Sequence, residues 1–161
     1  WCYTSFDEYR RVPIAEFKWF VALDPARFAV VTGGEPMLNK HTPLVVQLLK
    51  EAGFEIACET NGNFPIIDGV DFVTVSPKAF AVTPYFVHDN AWAKASEFKY
   101  VVDDEFDFSI LDRHNTDDGR RYSLSPEFNN FVRTSEKILS YISKHPKWRI
   151  SLQTHKWLKV P

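Results

Sequence analysis

Short polar clusters follow several of the apolar runs in this 161-residue sequence, and each could bind a small molecule. The clusters are Thr32-Gly33-Gly34-Glu35-Pro36, Glu59-Thr60-Asn61-Gly62, Ser76-Pro77-Lys78 and Gln153-Thr154-His155-Lys156. Paired glycines let the backbone approach a ligand closely, and Ser76 with Lys78 can offer a hydroxyl and a cation to a carboxylate. Each cluster alone is also typical of an ordinary tight turn, so its meaning depends on whether the fold brings the clusters together.

The apolar runs before these clusters are typical of buried strands. Predicted strands lie at 28–31, 54–58, 72–75, 98–102, 121–124 and 148–152. Predicted helices lie at about 13–22, at 42–53 and at 134–144, the second with Thr42 as N-cap, Pro43 at the first helical position and Gly53 as the stop. The polar segment 103–120 is predicted to be a surface excursion. Strand, helix and strand within about 30 residues form a βαβ unit, so the strands should run parallel.

Parallel strands place all their carboxyl ends at one edge, where ligands bind in barrels and open sheets. The scattered polar clusters should therefore meet at that edge. A complete barrel needs eight strand–helix repeats and about 250 residues. The sequence therefore predicts an α/β fold, a partial open (β/α) barrel with a mainly parallel sheet of about six strands, as a single domain over 1–161.

The amino-acid composition argues against several classes of protein. Lys and Arg number 19 and Asp and Glu number 21, a formal net charge of −2, which argues against a general nucleic-acid binder. No apolar run approaches the roughly 18–20 residues of a membrane span. Cys2 and Cys58 are too few for a disulfide scaffold, and each taken alone is typical of a small apolar filler. These features predict a cytoplasmic protein that binds neither membrane nor nucleic acid.

The order of the motifs carries more information than any one of them. The series is Trp1-Cys2-Tyr3-Thr4, Thr32-Gly33-Gly34-Glu35-Pro36, Glu59-Thr60-Asn61-Gly62, Ser76-Pro77-Lys78, Glu97-Phe98-Lys99 and Gln153-Thr154-His155-Lys156. This series resembles the 7-carboxy-7-deazaguanine synthases of the radical S-adenosylmethionine superfamily. The resemblance covers essentially the whole chain, and the closing Gln-Thr-His-Lys segment is its most specific part.

The resemblance implies a lyase that carries a [4Fe–4S] cluster held by three cysteines, the last of which matches Cys2. It also implies S-adenosylmethionine, Mg²⁺ and an external electron donor such as flavodoxin. The implied substrate is 6-carboxy-5,6,7,8-tetrahydropterin, which is converted to 7-carboxy-7-deazaguanine with loss of ammonia, for queuosine-type bases. Related enzymes are often homodimers, so a second copy of the chain is a candidate partner.

The same motif matching assigns roles to individual residues. The implied S-adenosylmethionine contacts are Trp1, Cys2, Tyr3, Gly34, Ser76, Pro77 and Lys78. Thr32 and the terminal carboxylate of Pro161 would contact the substrate, and Thr4 would bind Mg²⁺, a hard cation that prefers oxygen ligands. The thiolate of Cys2 suits an iron–sulfur cluster.

Two departures from the family pattern affect these expectations. The family usually has Asp where this sequence has Tyr3, and residues 1–161 contain neither the other two cluster cysteines nor the first strand. Those residues are expected to precede Trp1, and the 161-residue species alone is expected to bind no cluster and to be inactive. Two alternatives stay open, namely another radical enzyme such as a glycyl-radical activase, and a truncated, non-catalytic relative that retains only the ligand pocket.

Overall fold

The computed structural model describes residues 10–79 and 83–158. Six strands form one sheet, and every neighbouring pair is parallel. The strands are β1 (Phe28–Val31), β2 (Glu55–Thr60), β3 (Phe72–Val75), β4 (Glu97–Val102), β5 (Arg121–Pro126) and β6 (Trp148–Ile150). Their order in the sheet is their order in the chain, as in a (β/α) barrel, with β1 and β6 at the two edges. The predicted α/β fold with a parallel sheet of six strands is confirmed.

Within the described ranges, five helices accompany the sheet. They are α1 (Ile14–Leu23), α2 (Thr42–Glu51), α3 (Asp89–Lys94), α4 (Phe131–Ile142) and α5 (Thr154–Leu158). Short 3₁₀ helices cover Pro36–Leu38 and Phe108–His114. Among the described helices none is both long and apolar enough to cross a bilayer.

The helices bury one face of the sheet. Ile56 of β2 packs with Val46 and Leu49 of α2, whereas Leu124 of β5 belongs to a second cluster that includes Ile138 of α4. Side chains alternate between the two faces along each strand. The strand residues next to Ile56 and Leu124 therefore point to the face opposite the helices. We call that side the open face. Its central members are Glu59, Thr74, Glu97, Lys99 and Ser123.

Helix α2 begins one residue differently from the prediction. Its N-cap is His41, and Thr42 is the first helical residue. The Thr42 hydroxyl donates to the carbonyl of Pro36 at 2.6 Å, so it ties the helix to the preceding turn instead of capping it. Gly53, with a φ of 80°, does follow the helix as the predicted stop.

The segment 103–120 was predicted to be a surface excursion, and this prediction is wrong for part of it. Phe106, Leu111 and His114 are buried in the main core. The acidic residues between them face outward. Because these acidic residues make the segment polar on average, its apolar positions could not be recognised from the sequence. Helices α3 and α5, of six and five residues, are too short to show helical periodicity and were not predicted.

Candidate functional site

The polar clusters after β1, β2 and β3 lie side by side at the carboxyl edge of the sheet, as predicted. Val31 pairs with Cys58 and Thr60 pairs with Val75, so the residues that follow these strands emerge next to one another. The amide of Ser76 donates to the carbonyl of Thr60 at 2.8 Å and extends this pairing past the end of β3. The edge therefore assembles side chains that are far apart in sequence.

Glu35 joins the first two clusters. One of its carboxylate oxygens accepts bonds from the Thr60 hydroxyl at 2.6 Å and from the Met37 amide at 3.1 Å. The other oxygen accepts from the Asn61 amide at 2.8 Å. Sequence reasoning gave Glu35 no separate role, although its place after two glycines was visible. Its described contacts make it a link between strand ends.

The turn between β1 and Glu35 has a backbone that only glycine adopts easily. Gly33 and Gly34 have φ values of 91° and 52°. These φ values confirm that the paired glycines form a tight turn. The turn leaves Thr32, Gly33 and Gly34 exposed at the edge. A ligand could therefore reach both Thr32, the predicted substrate contact, and Gly34, the predicted S-adenosylmethionine contact.

The cluster after β3 consists of two buried residues followed by a half-buried lysine. Ser76 and Pro77 are buried, whereas Lys78 is half-buried. The Lys78 ammonium donates to the Ser76 hydroxyl oxygen at 2.9 Å. A hydroxyl beside an ammonium group is a donor pair that suits a carboxylate ligand. Pro77 fixes the backbone between the two donors, and its predicted ligand contact stays a prediction.

An ion pair crosses the open face beside these clusters. The Lys99 ammonium of β4 donates to the Glu59 carboxylate of β2 at 2.9 Å, over the intervening strand β3. The Lys99 side chain is 22% exposed and the Glu59 side chain 47%, so the pair is partly screened by water. The sequence marked both residues only as parts of motifs, and the register now shows that they meet.

Glu97 lies on the same face, beside Arg121 in the register of β4 and β5. Its carboxylate accepts from the Thr74 hydroxyl at 3.3 Å and from the Ser123 hydroxyl. With the Lys99–Glu59 pair, the open face therefore carries carboxylates and cations side by side. The carboxylate oxygens on this face can accept hydrogen bonds from ligand N–H groups.

The carboxyl ends of β5 and β6 contribute a second cation. Glu127, buried directly after β5, accepts from the amides of Asn129 and Asn130 at 3.0 Å each. Lys156 of α5 lies 4.8 Å from the centre of the Phe128 ring. Burial lowers the pKa of Lys156, and the negative charge of Glu127 opposes that change. Because α5 follows β6, Lys156 lies at the same edge of the sheet as Ser76 and Gly34.

Several predicted site residues lie outside the described residues. They are Trp1, Cys2, Tyr3, Thr4 and Pro161. The backbone of His155 belongs to α5. The roles predicted for these residues stay predictions.

Cys58 does not fit a metal or nucleophilic role. It is fully buried, and burial together with Glu35 and Glu59 raises its pKa to about 12. Across 10–79 and 83–158, no three His, Cys, Asp or Glu side chains come together as a metal site. The interpretation of Cys58 as a filler is supported.

Two cavities lie elsewhere in the molecule. One, of about 240 Å³, is lined by residues of α1 and α2, including Lys18 and Leu48. The other, of about 300 Å³, is lined by residues around Asp68 and Lys94. Neither of these two cavities includes a residue of the carboxyl edge.

Comparison with known proteins identifies relatives over most of the chain, although no family model matches it. The 7-carboxy-7-deazaguanine synthase of Burkholderia multivorans is 39% identical over 141 residues, which are 84% of this chain and 60% of that protein. The synthase of Synechocystis sp. is 34% identical over 135 residues, 83% of this chain and 62% of that protein. The chain thus spans about 60% of the length of these relatives.

A solved structure agrees with the sequence comparison. The crystal structure of QueE from Escherichia coli superposes with a TM-score of 0.66 at 28% identity, over 86% of this chain and 62% of that one. The resemblance seen in the sequence is confirmed: over most of its length, this chain is a homologue of the 7-carboxy-7-deazaguanine synthases.

Proposed function

We propose that the chain is part of a radical S-adenosylmethionine lyase that converts 6-carboxy-5,6,7,8-tetrahydropterin to 7-carboxy-7-deazaguanine with loss of ammonia. The observation that carries this proposal is the 39% identity to a synthase of that name over 84% of the chain. The placement of the polar clusters at one edge of a parallel sheet supports it, because ligands of such sheets bind at the carboxyl ends of the strands.

Ser76 and Lys78 supply the donors for the carboxylate of S-adenosylmethionine. Their hydroxyl oxygen and ammonium nitrogen are 2.9 Å apart, which lets one carboxylate contact both groups. Gly34 adds backbone groups after β1, two strands away in the sheet, where no Cβ blocks a ligand. The three residues would hold the amino-acid end of the molecule at the edge of the sheet.

The open face supplies contacts for the pterin. Thr32 follows β1 directly and is exposed, so its hydroxyl can bond the substrate from one side. The Glu59 carboxylate, oriented by Lys99, can accept from the N–H groups of the pterin. The terminal carboxylate of Pro161 and the hydroxyl of Thr4, the latter towards Mg²⁺, complete the proposed set from outside the described residues.

The described residues do not contain a ligand set for the iron–sulfur cluster. Cys58 is buried with a raised pKa, and Cys2 lies outside the described ranges. When bound, the cluster and S-adenosylmethionine would supply the 5′-deoxyadenosyl radical, and the residues described above bind and orient the molecules that react.

The proposal extends to the surroundings of the enzyme. One-electron chemistry requires an external donor, for which a flavodoxin-type protein is suitable, and a homodimer is the assembly we propose. A cytoplasmic location fits the oxygen-sensitive cluster and the two cysteines of the sequence. No membrane or nucleic-acid partner is part of the proposal.

Turnover tests the function directly. Protein expressed from its complete reading frame is reconstituted anaerobically with iron and sulfide, reduced, and given S-adenosylmethionine and the carboxytetrahydropterin. We expect 7-carboxy-7-deazaguanine and ammonia in equal amounts. Protein with an intact cluster that makes neither product would refute the proposal, and ligand binding without turnover would favour the non-catalytic alternative.

A matched pair of variants locates the activity at the carboxyl edge. Lys78→Met should raise KM for S-adenosylmethionine at least tenfold, because one charge-assisted hydrogen bond is lost. Lys50→Met is the control, since Lys50 pairs with Asp71 far from the edge, at the amino end of β3. Equal KM values for the two variants would remove Lys78 from the site.

A further inference from the structure

We propose that Tyr85 and Arg113 are positioning residues that hold the Ser76-Pro77-Lys78 segment in its ligand-binding conformation. This inference rests on the proposed function, because it gives those three residues the role of S-adenosylmethionine contacts. Neither Tyr85 nor Arg113 belongs to a motif that the sequence singles out, and both act through the backbone that follows Lys78.

The backbone of Tyr85 adopts a conformation that an aromatic residue normally avoids. Its φ is 55°, and within 10–79 and 83–158 it is the one non-glycine residue with a positive φ. The left-handed region is unfavourable for a residue with a bulky side chain. Strained backbone of this kind persists where its surroundings impose it, and it concentrates at functional sites.

Hydrogen bonds hold the strained residue in place from both sides. The Tyr85 amide donates to the Lys78 carbonyl at 2.8 Å, and the Tyr85 carbonyl accepts from Arg113 Nη1 at 2.9 Å. Ala79 and Pro84 form an isolated antiparallel bridge between these two points. Tyr85 thereby fixes the carbonyl of Lys78, the residue whose ammonium bonds Ser76.

Aromatic contacts anchor both positioning residues to the core. The Tyr85 ring lies 5.9 Å from the ring of Tyr100 and 5.8 Å from that of Phe106. The Arg113 guanidinium lies 4.8 Å from the centre of the Trp92 ring. The core thus connects through Tyr85 and Arg113 to the backbone of Lys78, and we call these two residues the clamp.

A purely structural clamp and a ligand-positioning clamp differ in their kinetic effect. Loss of a structural contact would lower the stability of the whole protein and the amount of active enzyme. Loss of positioning would weaken S-adenosylmethionine binding, while the reaction at saturating S-adenosylmethionine would proceed at nearly the normal rate. The clamp does not touch the reacting groups, so kcat should be largely preserved.

Arg113→Met tests the clamp because methionine keeps an apolar chain over Trp92 but cannot donate to the Tyr85 carbonyl. In the reconstituted protein we expect KM for S-adenosylmethionine to rise at least fivefold, with kcat within twofold of the wild-type value. Arg113→Lys should restore part of the affinity because it retains a donor. Arg133→Met is the control, since Arg133 is exposed and its described ion pair is with Asp104 and not with Tyr85.

Hydrogen exchange reports on the clamp without turnover. In Arg113→Met, the Tyr85 amide should exchange at least tenfold faster, while amides of the central strands keep their wild-type rates. Glycine adopts a positive φ without strain, whereas alanine does not. Tyr85→Gly should therefore keep the hydrogen bond from the amide of residue 85 to the Lys78 carbonyl better than Tyr85→Ala.

The outcomes separate the clamp from the proposed function. Normal wild-type turnover together with unchanged KM and exchange in Arg113→Met would overturn the clamp alone. Wild-type protein that does not bind S-adenosylmethionine would overturn the proposed function and the clamp with it. A parallel loss of kcat and of the urea midpoint would show that the contact is structural.

Discussion

The Glu35 carboxylate accepts a 2.6 Å hydrogen bond from the hydroxyl of Thr60 and so ties the end of β1 to the end of β2. The same carboxylate also accepts the Asn61 and Met37 amides. Three hydrogen bonds to one half-buried carboxylate fix the relative position of two turns that we place at the ligand site. The geometry of the edge depends on this one side chain more than on any other described there.

Glu35→Ala should therefore destabilise the protein by roughly 2–3 kcal/mol, because it removes charge-assisted bonds and leaves partly buried donors unsatisfied. The measurement is the urea midpoint. Glu51→Ala is the control, since Glu51 is an exposed residue of α2 whose described hydrogen bond is from Gln47. This substitution should change stability by about 0.5 kcal/mol or less. Equal effects of the two substitutions would contradict the role of Glu35.

Gly62 is a position at this edge where a side chain does not fit. Its φ is 80°, and an added Cβ would lie 2.6 Å from Cγ1 of Val75. We expect Gly62→Ala to cost about 2–4 kcal/mol, from backbone strain and overpacking together. Gly53→Ala isolates the strain, since Gly53 has the same φ with nothing within 4 Å of the added carbon.

Urea unfolding of the two glycine variants separates these contributions. Gly53→Ala should cost about 1–2 kcal/mol, which is the strain alone. The difference between the variants then measures the contact with Val75. If Gly53→Ala were as destabilising as Gly62→Ala, the close packing of Gly62 on β3 would be wrong.

The fold could be read from the sequence because strands buried in a parallel sheet appear as short apolar runs, and polar clusters mark where they end. The runs before Thr32, Glu59 and Ser76 show this directly. The sequence could not show that Lys99 reaches Glu59, because their meeting depends on the register of three strands. It also could not show the left-handed backbone of Tyr85, since no glycine marks that position.

His114 predicts how stability depends on pH. It is buried, its ring lies parallel to that of Trp92, and its Nε2 lies 2.8 Å from the Tyr100 hydroxyl. Burial, and then the neighbouring Arg113, lower the pKa of His114 from 6.5 to about 3. Between these values the unfolded chain carries a proton on His114 that the folded chain lacks. Stability therefore falls as the pH falls through this range, by up to about 1.4 kcal/mol per pH unit from this group.

The double substitution Tyr100→Phe and His114→Leu removes the titrating group and its partner together. Between pH 6.5 and 4.5, above the range in which most carboxylates protonate, the variant should lose less stability per pH unit than the wild type. Urea unfolding at each pH gives both slopes. Identical slopes would show that His114 titrates with an ordinary pKa and is not held neutral by the core.

Cys58 should be unreactive while the protein is folded. Its pKa is raised to about 12, so the thiolate is scarce near pH 8, and the side chain is fully buried. Iodoacetamide should label Cys58 in the native protein at least about 100-fold more slowly than in the urea-unfolded protein, as measured by mass spectrometry of the peptide that contains Cys58. Fast labelling of the native protein would contradict the burial of β2.

The most direct test of the central claim is hydrogen exchange of the reconstituted protein with and without S-adenosylmethionine and the carboxytetrahydropterin. Ligand binding at the carboxyl edge predicts protection of the amides at 32–35, 59–62, 76 and 78, with no change around the cavity near Asp68 and Lys94. Protection confined to that cavity, or none at any of these strand ends when both ligands are saturating, would contradict the account.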